Sequence, residues 1–287
     1  MSRENSEWTE ENHQDILCTK YKKEKVLFSE KSDFQQIEII QTAGHGKMLF
    51  NDNIAMISER DEFVYHEMIS HVALFTNPEI ENVLVIGGGD GGTVREVLKH
   101  QSVKKCTLVE IDESVVRACK EHIPLTSACL DDPRANVLID DGVKFVANTK
   151  EVFDLIIIDS TDPVGPGASL FGKDFYQNVY KILTEKGIVI SQAESPFYEL
   201  EMQKNILGIL NSLFETVCIY NYSNLTYPGG IWSLSFASKG LHPLKNFQEE
   251  LVNELALATK YYNSEVHKAS FVLPQFMKEE LKELIAQ

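Results

Sequence analysis

Residues 83–92 read VLVIGGGDGG, four apolar residues that lead directly into five glycines and one aspartate. A short run of Val, Ile and Leu predicts a buried strand, and the glycines predict a tight strand-to-helix turn that a ligand can approach closely. Gly87, Gly89 and Gly92 also satisfy the G-x-G-x-x-G spacing, which is weak evidence by itself. The stretch therefore predicts the opening strand and turn of an α/β ligand-binding fold.

The segments after this turn alternate between apolar runs and helical patterns. Cys106–Ile111, Leu155–Asp159 and Gly187–Gln192 are strand-like, and residues 173–184 are one of the intervening helical patterns. Such strands between helices indicate a mostly parallel sheet buried on both faces. The last two strand-like runs, 217–222 and 232–237, are separated only by a loop, so we expect an antiparallel pair at one edge. Two further helical patterns follow, around 244–260 and 274–285.

The chain before residue 61 has a different pattern. Short β-forming runs, among them Lys25–Ser29 and Gln36–Thr42, are broken by turn residues such as Gly44-His45-Gly46. This pattern predicts a small antiparallel β-module over residues 1–60. We expect a catalytic domain with C-terminal helices over 61–287, which begins with a helix at 61–75.

Composition narrows the class of protein further. The net charge of −16 argues against a nucleic-acid partner and would attract a cationic substrate. No apolar run approaches the roughly 20 residues that span a bilayer, and the acidic, polar first residues do not resemble a secretory signal. The five scattered cysteines lack a CxxC pair, which predicts reduced thiols and no zinc site. We therefore expect a cytoplasmic protein without a membrane partner or a bound metal.

Carboxylates follow several of the predicted strands. Glu110 lies twenty-one residues after Gly89, where a carboxylate can accept hydrogen bonds from the ribose hydroxyls of an adenosine ligand. Asp141 is placed to meet an adenine amino group, and Asp159 and Asp162 follow the next strand. Because ligands of open α/β sheets bind outside the carboxyl ends of the strands, these acids should converge on one crevice. That pattern alone leaves NAD and S-adenosyl compounds open.

Asp90 helps to choose between these ligands, because it lies inside the glycine turn. An anionic ligand group about 4 Å from this carboxylate would cost on the order of 4 kcal/mol at an effective dielectric of 20. Asp90 therefore disfavours the pyrophosphate of NAD and the carboxylate of S-adenosylmethionine. It favours a ligand whose tail is an ammonium, and the other acids of the crevice likewise call for cations.

Several motifs in the correct order resemble the spermidine synthase (polyamine aminopropyltransferase) family. The motifs are ERDEFVYHEM at 59–68, GGGDGG at 87–92, VEID at 109–112, DSTDPVGP at 159–166, TYPGG at 226–230 and HKASFVLPQF at 267–276. The resemblance implies a Rossmann-like class I methyltransferase fold with a mostly parallel seven-stranded sheet, preceded by a small antiparallel N-terminal β-module. It also implies a homodimer or homotetramer.

The implied activity is transfer of the aminopropyl group of decarboxylated S-adenosylmethionine to putrescine, which gives spermidine and 5′-methylthioadenosine. The donor would be a co-substrate, and no tightly bound cofactor is implied. By resemblance, Asp159 matches the general base. Positions around the aminopropyl group and the amine are Tyr65, His66, Asp90, Asp162, Gln192 and Tyr227. Positions that hold the rest of the donor are Gln35, Gly87, Gly89, Glu110, Asp141, Gly142 and Pro166.

Two positions make the length of the acceptor uncertain. The family more often has Ser in place of Gly229, and Glu194 adds an acid near the amine end. Cadaverine, agmatine or spermidine are therefore alternative acceptors. Alternative functions are an S-adenosylmethionine-dependent amine N-methyltransferase, a nicotinamide oxidoreductase, and a catalytically silent polyamine-binding relative.

Overall fold

A computed structural model of the chain describes residues 7–160, 170 and 172–285. Its first sheet is antiparallel, with its strands in chain order. The strands are β1 (Trp8–His13), β2 (Leu17–Lys31), β3 (Gln36–Thr42), β4 (Gly46–Asn51) and β5 (Ile54–Ser58). The sequence patterns missed β1 and the first part of β2. The inward-facing residues of β1 are Thr9 and Glu11, so this strand has no apolar alternation to recognise.

The second sheet has seven strands in the order β11-β12-β10-β9-β6-β7-β8. They are β6 (Asn82–Gly87), β7 (Lys105–Glu110), β8 (Ala135–Ile139), β9 (Phe153–Asp159), β10 (Leu183–Gln192), β11 (Thr216–Ser223) and β12 (Ile231–Ser238). The five strands from β10 to β8 are parallel, whereas β12 is antiparallel to both β10 and β11. This Rossmann-like arrangement confirms the predicted fold class, including the antiparallel edge.

Helices cover both faces of the second sheet. The α-helices of the described residues are α1 (Glu62–Thr76), α2 (Gly92–Leu98), α3 (Glu113–His122), α4 (Pro124–Ser127), α5 (Gly142–Asn148), α6 (Lys173–Lys181), α7 (Leu200–Asn211), α8 (Glu249–Leu255), α9 (Ser264–Ser270) and α10 (Gln275–Leu281). The predicted helix 173–184 is too long, because β10 already begins at Leu183. The predicted tail helix 244–260 is much shorter, and α9 was missed. In the part of the chain that is described, no helix has the length and apolar character that crossing a bilayer requires.

The central strands divide their side chains between two cores. Val83 and Val85 of β6 belong to the core that contains residues of α1 and α2. Leu84 and Ile86 point to the opposite face and pack in the core formed with α6 and α7. This alternation follows from the two-residue period of a strand. It explains why a run of consecutive apolar residues forms the centre of the sheet.

The first sheet packs against α3. Ile37 and Ile39 of β3 share a core with Val115 and other residues of that helix. Polar contacts join the same parts of the chain, since the Ser32 hydroxyl donates to Asp112 at 2.7 Å. The division into residues 1–60 and 61–287 remains our proposal, because the first sheet is closely joined to the rest of the chain.

Candidate active site

The order of the strands determines where the cleft lies. From β6 the chain runs outward to β7 and β8 on one side, and β9 and β10 lie on the other. The turns after β6 and β9 therefore flank a crevice at the carboxyl ends of the strands. In the register of these strands Gly87 lies beside Asp159. The predicted site residues that line the cleft are Gln35, Tyr65, His66, Gly87, Gly89, Asp90, Glu110, Asp141, Gly142, Asp159, Gln192 and Tyr227. Two others, Asp162 and Pro166, lie outside the described residues.

Asp159 ends β9 and is held by two hydroxyl groups. The Tyr65 hydroxyl donates to Oδ1 at 2.7 Å, and the Thr93 hydroxyl donates to Oδ2 at 2.6 Å. Burial, with the nearby charge of Asp159, raises the pKa of Tyr65 well above its ordinary value. Tyr65 therefore stays protonated and acts as a donor. Both carboxylate oxygens are oriented toward fixed partners.

The glycines of the turn make room for carboxylates from neighbouring strands. A Cβ at Gly87 would lie 2.1 Å from the Asp159 carbonyl oxygen, and one at Gly88 would lie 2.5 Å from Asp159 Oδ2. Both glycines have a positive φ, of 80° and 67°. A Cβ at Gly89 would come within 2.9 Å of the Glu110 side chain. The turn therefore brings the acids of β7 and β9 against the backbone after β6.

Asp90 accepts a hydrogen bond from the Gly92 amide at 2.9 Å and lies 3.4 Å from Nε2 of His66. Burial raises the pKa of Asp90 to about 6, although His66 opposes the shift. Burial lowers the pKa of His66, but Asp90 and Glu62 outweigh it and raise the value to about 9. Asp90 therefore lies beside a His66 imidazolium, which offsets part of the negative charge of the carboxylate.

Glu62 and Arg95 stand behind His66. Glu62 Oε2 lies 2.6 Å from His66 Nδ1 and 2.8 Å from a guanidinium nitrogen of Arg95. Burial would raise the pKa of Glu62, but hydrogen bonds from His66 and Arg95 lower it to about 2. This buried ion cluster fixes the His66 ring against the turn, where it fills the space that a side chain at Gly92 would need.

Glu110 is oriented by backbone amides at the end of β7. Its Oε2 accepts from Gly89 at 3.1 Å and its Oε1 accepts from Asp112 at 2.9 Å. Burial raises the pKa of Glu110 to about 7, despite these hydrogen bonds. Each oxygen keeps a further lone pair, so the carboxylate can accept hydrogen bonds from a diol.

Asp141 and Gln35 lie near the same end of the cleft. Asp141 caps α5 by accepting from the amides of Val143 and Lys144, at 2.9 and 3.3 Å. Gln35 comes from the loop before β3, and its side-chain amide donates to Asp112 at 3.1 Å. The first sheet therefore contributes directly to the wall of the cleft.

Tyr227 and Gln192 line the other end. The Tyr227 hydroxyl donates to the Met56 carbonyl at 2.7 Å. The Gln192 amide donates to Glu194 at 3.1 Å, and Glu194 is buried with a φ of 58°. The loop before Tyr227 is fixed by Asp61, which accepts from the amides of residues 225 and 226 at 2.8 and 3.0 Å.

Sequence reasoning missed several residues that contact this site. Thr93 lies in the first turn of α2, and nothing in its sequence context indicates a hydroxyl partner for Asp159. Glu62 had a usable signal, because its spacing of four residues from His66 places both on one helix face. Glu11 and His13 of β1 also line the cleft. They could not be placed there because β1 itself was missed.

Comparison with known sequence families assigns two regions of the chain. The spermine/spermidine synthase domain matches residues 62–249, and the spermidine synthase tetramerisation domain matches residues 7–59. The polyamine aminopropyltransferase of Methanocaldococcus jannaschii is 46% identical over 281 residues, which cover 97% of this chain and 96% of the relative. That of Clostridium beijerinckii is 44% identical, with coverage of 96% and 98%.

Solved structures agree with this assignment. A spermidine synthase in complex with the transition state analogue AdoDATO has a TM-score of 0.94 and 43% identity, and the match covers 99% of this chain and 97% of that one. Spermidine synthase from Thermotoga maritima gives a TM-score of 0.93 at 43% identity, with coverage of 97% and 95%. Fold and cleft define a Rossmann-like transferase. The chain belongs to the spermidine synthase family of polyamine aminopropyltransferases, which confirms the resemblance seen in its motifs.

Proposed function

We propose that this enzyme transfers the aminopropyl group of decarboxylated S-adenosylmethionine to putrescine. The observation that carries the proposal is the pair of buried carboxylates, Asp90 and Asp159, in one cleft beside the glycine turn. Together they suit a donor with a sulfonium and an ammonium group, and an acceptor that is itself cationic. A solved relative in complex with the transition state analogue AdoDATO supports the same chemistry.

The donor would lie across the turn with its adenosine toward β7 and β8. Glu110 would accept hydrogen bonds from the ribose hydroxyls, and Asp141 with Gly142 would meet the adenine. Gln35 would complete this end, and Asp90 would bind the ammonium of the aminopropyl group. On resemblance alone, Asp162 would line the amine channel and Pro166 would lie near the adenosine.

In the chemical step, the amine nitrogen attacks the aminopropyl carbon next to sulfur. The carbon–sulfur bond breaks, and its electron pair leaves with neutral 5′-methylthioadenosine. A lysine-like amine has a pKa of about 10.4, so freeing its lone pair at pH 7 costs about 4.6 kcal/mol. Asp159 would accept the proton that the attacking nitrogen loses. Because Asp159 would also stabilise the ammonium form of the acceptor, correct positioning must supply much of the rate.

Tyr65 and Tyr227 would orient the acceptor through their oxygen atoms. Each hydroxyl already gives its hydrogen to a protein acceptor, Asp159 or the Met56 carbonyl. Their lone pairs can therefore accept hydrogen bonds from the N–H groups of an amine. Gln192 would line the same channel, and His66 would hold Asp90 in place.

The match of residues 7–59 to a tetramerisation domain indicates that the enzyme is an oligomer. A homodimer or homotetramer is our proposal for its size. A cytoplasmic location likewise stays a prediction, made from the scattered cysteines.

A direct assay tests the proposal. The purified protein is mixed with putrescine and either decarboxylated S-adenosylmethionine or S-adenosylmethionine, and the products are identified by mass spectrometry. We expect equal amounts of 5′-methylthioadenosine and spermidine with the first donor only. Methylated putrescine with the second donor would instead identify an N-methyltransferase, and no product with either would contradict the proposal.

A further inference from the structure

Together with Pro228, His13 of β1 is one of the residues that line the cleft. Behind it lies Tyr198, whose ring meets the His13 ring at a centroid distance of 4.9 Å and an angle of 64°. Strand β1 of the first sheet and the segment before α7 therefore contact each other at this part of the cleft wall.

The residues around His13 continue from those at the amine end of the cleft. Asp159 is bonded to Tyr65, whose ring centroid lies 6.1 Å from that of Tyr227. Pro228 and Gly229 come next in the chain, and Gly229 lies so close to Tyr198 that a Cβ on this glycine would meet the ring. An acceptor that placed one nitrogen at Asp159 and ran along these residues would pass Tyr227 and approach His13.

Several contacts keep His13 in place. Its Nε2 is sealed from solvent and has no hydrogen-bond partner among the described residues, so packing rather than hydrogen bonding holds that side of the ring. The adjacent Gln14 amide donates to Glu199, the neighbour of Tyr198. Tyr21 of β2, which pairs with Thr9 of β1, donates its hydroxyl hydrogen to the Thr226 carbonyl at 3.0 Å, so the first sheet is also joined to the loop before Tyr227. The ring is thus a fixed part of the wall.

Gly229 determines how much room Tyr198 has. A Cβ at this position would lie 2.9 Å from Cε2 of Tyr198, so any side chain would displace the ring. The next glycine, Gly230, also has a positive φ, 75° against 85°, but a Cβ there would meet no atom within 4 Å. Substitution of either glycine by Ala would strain the backbone, but only substitution of Gly229 would also press on Tyr198. Comparing the two substitutions therefore distinguishes the steric effect from the backbone strain.

We propose that His13 and Tyr198 form the wall that limits the length of the acceptor amine, and that Gly229 sets the position of that wall. This inference rests on the proposed function, since it assigns the amine end of the same cleft. A wall of packed rings discriminates by size, and one methylene group in such a pocket changes kcat/KM by about 10- to 200-fold.

The test compares diamines of four, five and six carbons as acceptors, each with saturating decarboxylated S-adenosylmethionine. The measured quantity is the ratio of kcat/KM for cadaverine or 1,6-diaminohexane to that for putrescine. His13→Ala and Tyr198→Ala should each raise this ratio about tenfold or more. Gly229→Ala should lower it, because the displaced Tyr198 ring narrows the channel.

Two control variants change residues next to Gly229 and His13 that are not part of the proposed wall. Gly230→Ala introduces similar backbone strain without touching Tyr198, and Asn12→Ala alters an exposed neighbour of His13 on the same strand. Both should leave the ratio unchanged within about twofold, and thermal melting should show that every variant is folded. Equal losses with all diamines, at an unchanged ratio, would overturn the length assignment and leave the proposed function intact. Failure of the native enzyme to use any diamine would refute the proposed function itself.

Discussion

Asp159 carries the proton transfer in the proposed reaction, so replacing it with Asn separates chemistry from binding. The amide is nearly the same shape, and the hydroxyls of Tyr65 and Thr93 can rotate to meet it. We expect kcat to fall by about 10²- to 10⁴-fold, since positioned bases contribute this much. The dissociation constant for 5′-methylthioadenosine should change less than about threefold, because that product carries no amine. Product release gives the first quantity and calorimetry the second.

Asp131→Asn is a suitable control for this variant. The Asp131 side chain is 77% exposed and pairs only with Lys120 among the described residues. The Asp131→Asn variant should keep the turnover of the native enzyme. Near-normal turnover with putrescine in Asp159→Asn would remove Asp159 from the base role.

Asp90 should select the donor by charge. In Asp90→Ala, binding of decarboxylated S-adenosylmethionine should weaken about 10- to 30-fold, or about 1.4–2 kcal/mol. This is less than a bare carboxylate would give, because the His66 imidazolium 3.4 Å away offsets part of the charge. S-adenosylmethionine should lose little affinity, since its carboxylate is repelled by Asp90. Calorimetry with both ligands checks this prediction, and equal losses would refute the selection by charge.

Glu110 should make adenosine binding depend on pH. Its raised pKa of about 7 means that the free carboxyl is protonated below pH 7 and ionised above it. Ribose hydroxyls donate to the ionised form, so binding favours deprotonation. We expect the affinity for 5′-methylthioadenosine to be constant above pH 7.5 and to fall below pH 7, by up to about tenfold per pH unit. Titrations at pH 6 should also release protons, which is measured as a dependence of the enthalpy on the buffer.

Glu110→Gln is the control for this profile. It should bind more weakly at high pH and lose the dependence between pH 6 and 8. A flat profile in the native enzyme would contradict the assignment of Glu110 to the ribose.

The sequence predicted the acids of the site better than their partners. Glu110 and Asp159 could be placed because parallel strands end at one edge of a sheet, so residues far apart in sequence converge there. Thr93 could not be placed, because its contact with Asp159 depends on how α2 leaves the turn. The packing of His66 on Gly92 also depends on the crossing of two helices, which a sequence pattern does not contain.

At the level of elements, α2 begins at Gly92, directly after the glycine turn. At this residue α2 contacts His66 of α1. A Cβ at Gly92 would lie 2.1 Å from Cε1 of His66. Gly92→Ala should therefore displace His66, destabilise the fold by about 1–3 kcal/mol and raise the KM for the donor. Urea unfolding and steady-state kinetics measure these effects.

Gly208 provides the matched substitution, because it lies inside α7 and a Cβ there would meet nothing within 4 Å. Gly208→Ala should stabilise the protein by about 0.5–1 kcal/mol through helix propensity and leave kinetics unchanged. If both substitutions had the same effect, the requirement for glycine at position 92 would not come from His66.

The elements that sequence reasoning missed share one physical cause. In β1 the buried positions are polar, and the first part of β2 is mostly exposed. Hydrophobic periodicity indicates burial, so it finds strands such as β6 and β9 that lie in a core. The end of α6 was misplaced for a related reason, since Ile182 and Leu183 continue the apolar pattern from the helix into β10.

The whole molecule carries 43 acidic and 27 Lys or Arg residues, which gives the net charge of −16. A negative field of this size should draw cationic substrates toward a cleft that is itself lined with carboxylates. Salt screens such attraction, and the screening length falls to about 10 Å at 0.1 M. We expect kcat/KM for putrescine to fall several-fold between 20 and 300 mM NaCl, as measured by steady-state kinetics at constant pH.

The neutral product provides an internal control for this effect. Binding of 5′-methylthioadenosine uses the same cleft but involves no net ligand charge, so its dissociation constant should change less than about twofold over the same range of salt. A parallel loss of affinity for the neutral ligand would mean that salt acts on the fold rather than on substrate attraction. If the acidic composition serves only solubility, kcat/KM for putrescine would stay constant, and the carboxylates of the cleft would act only at contact distance.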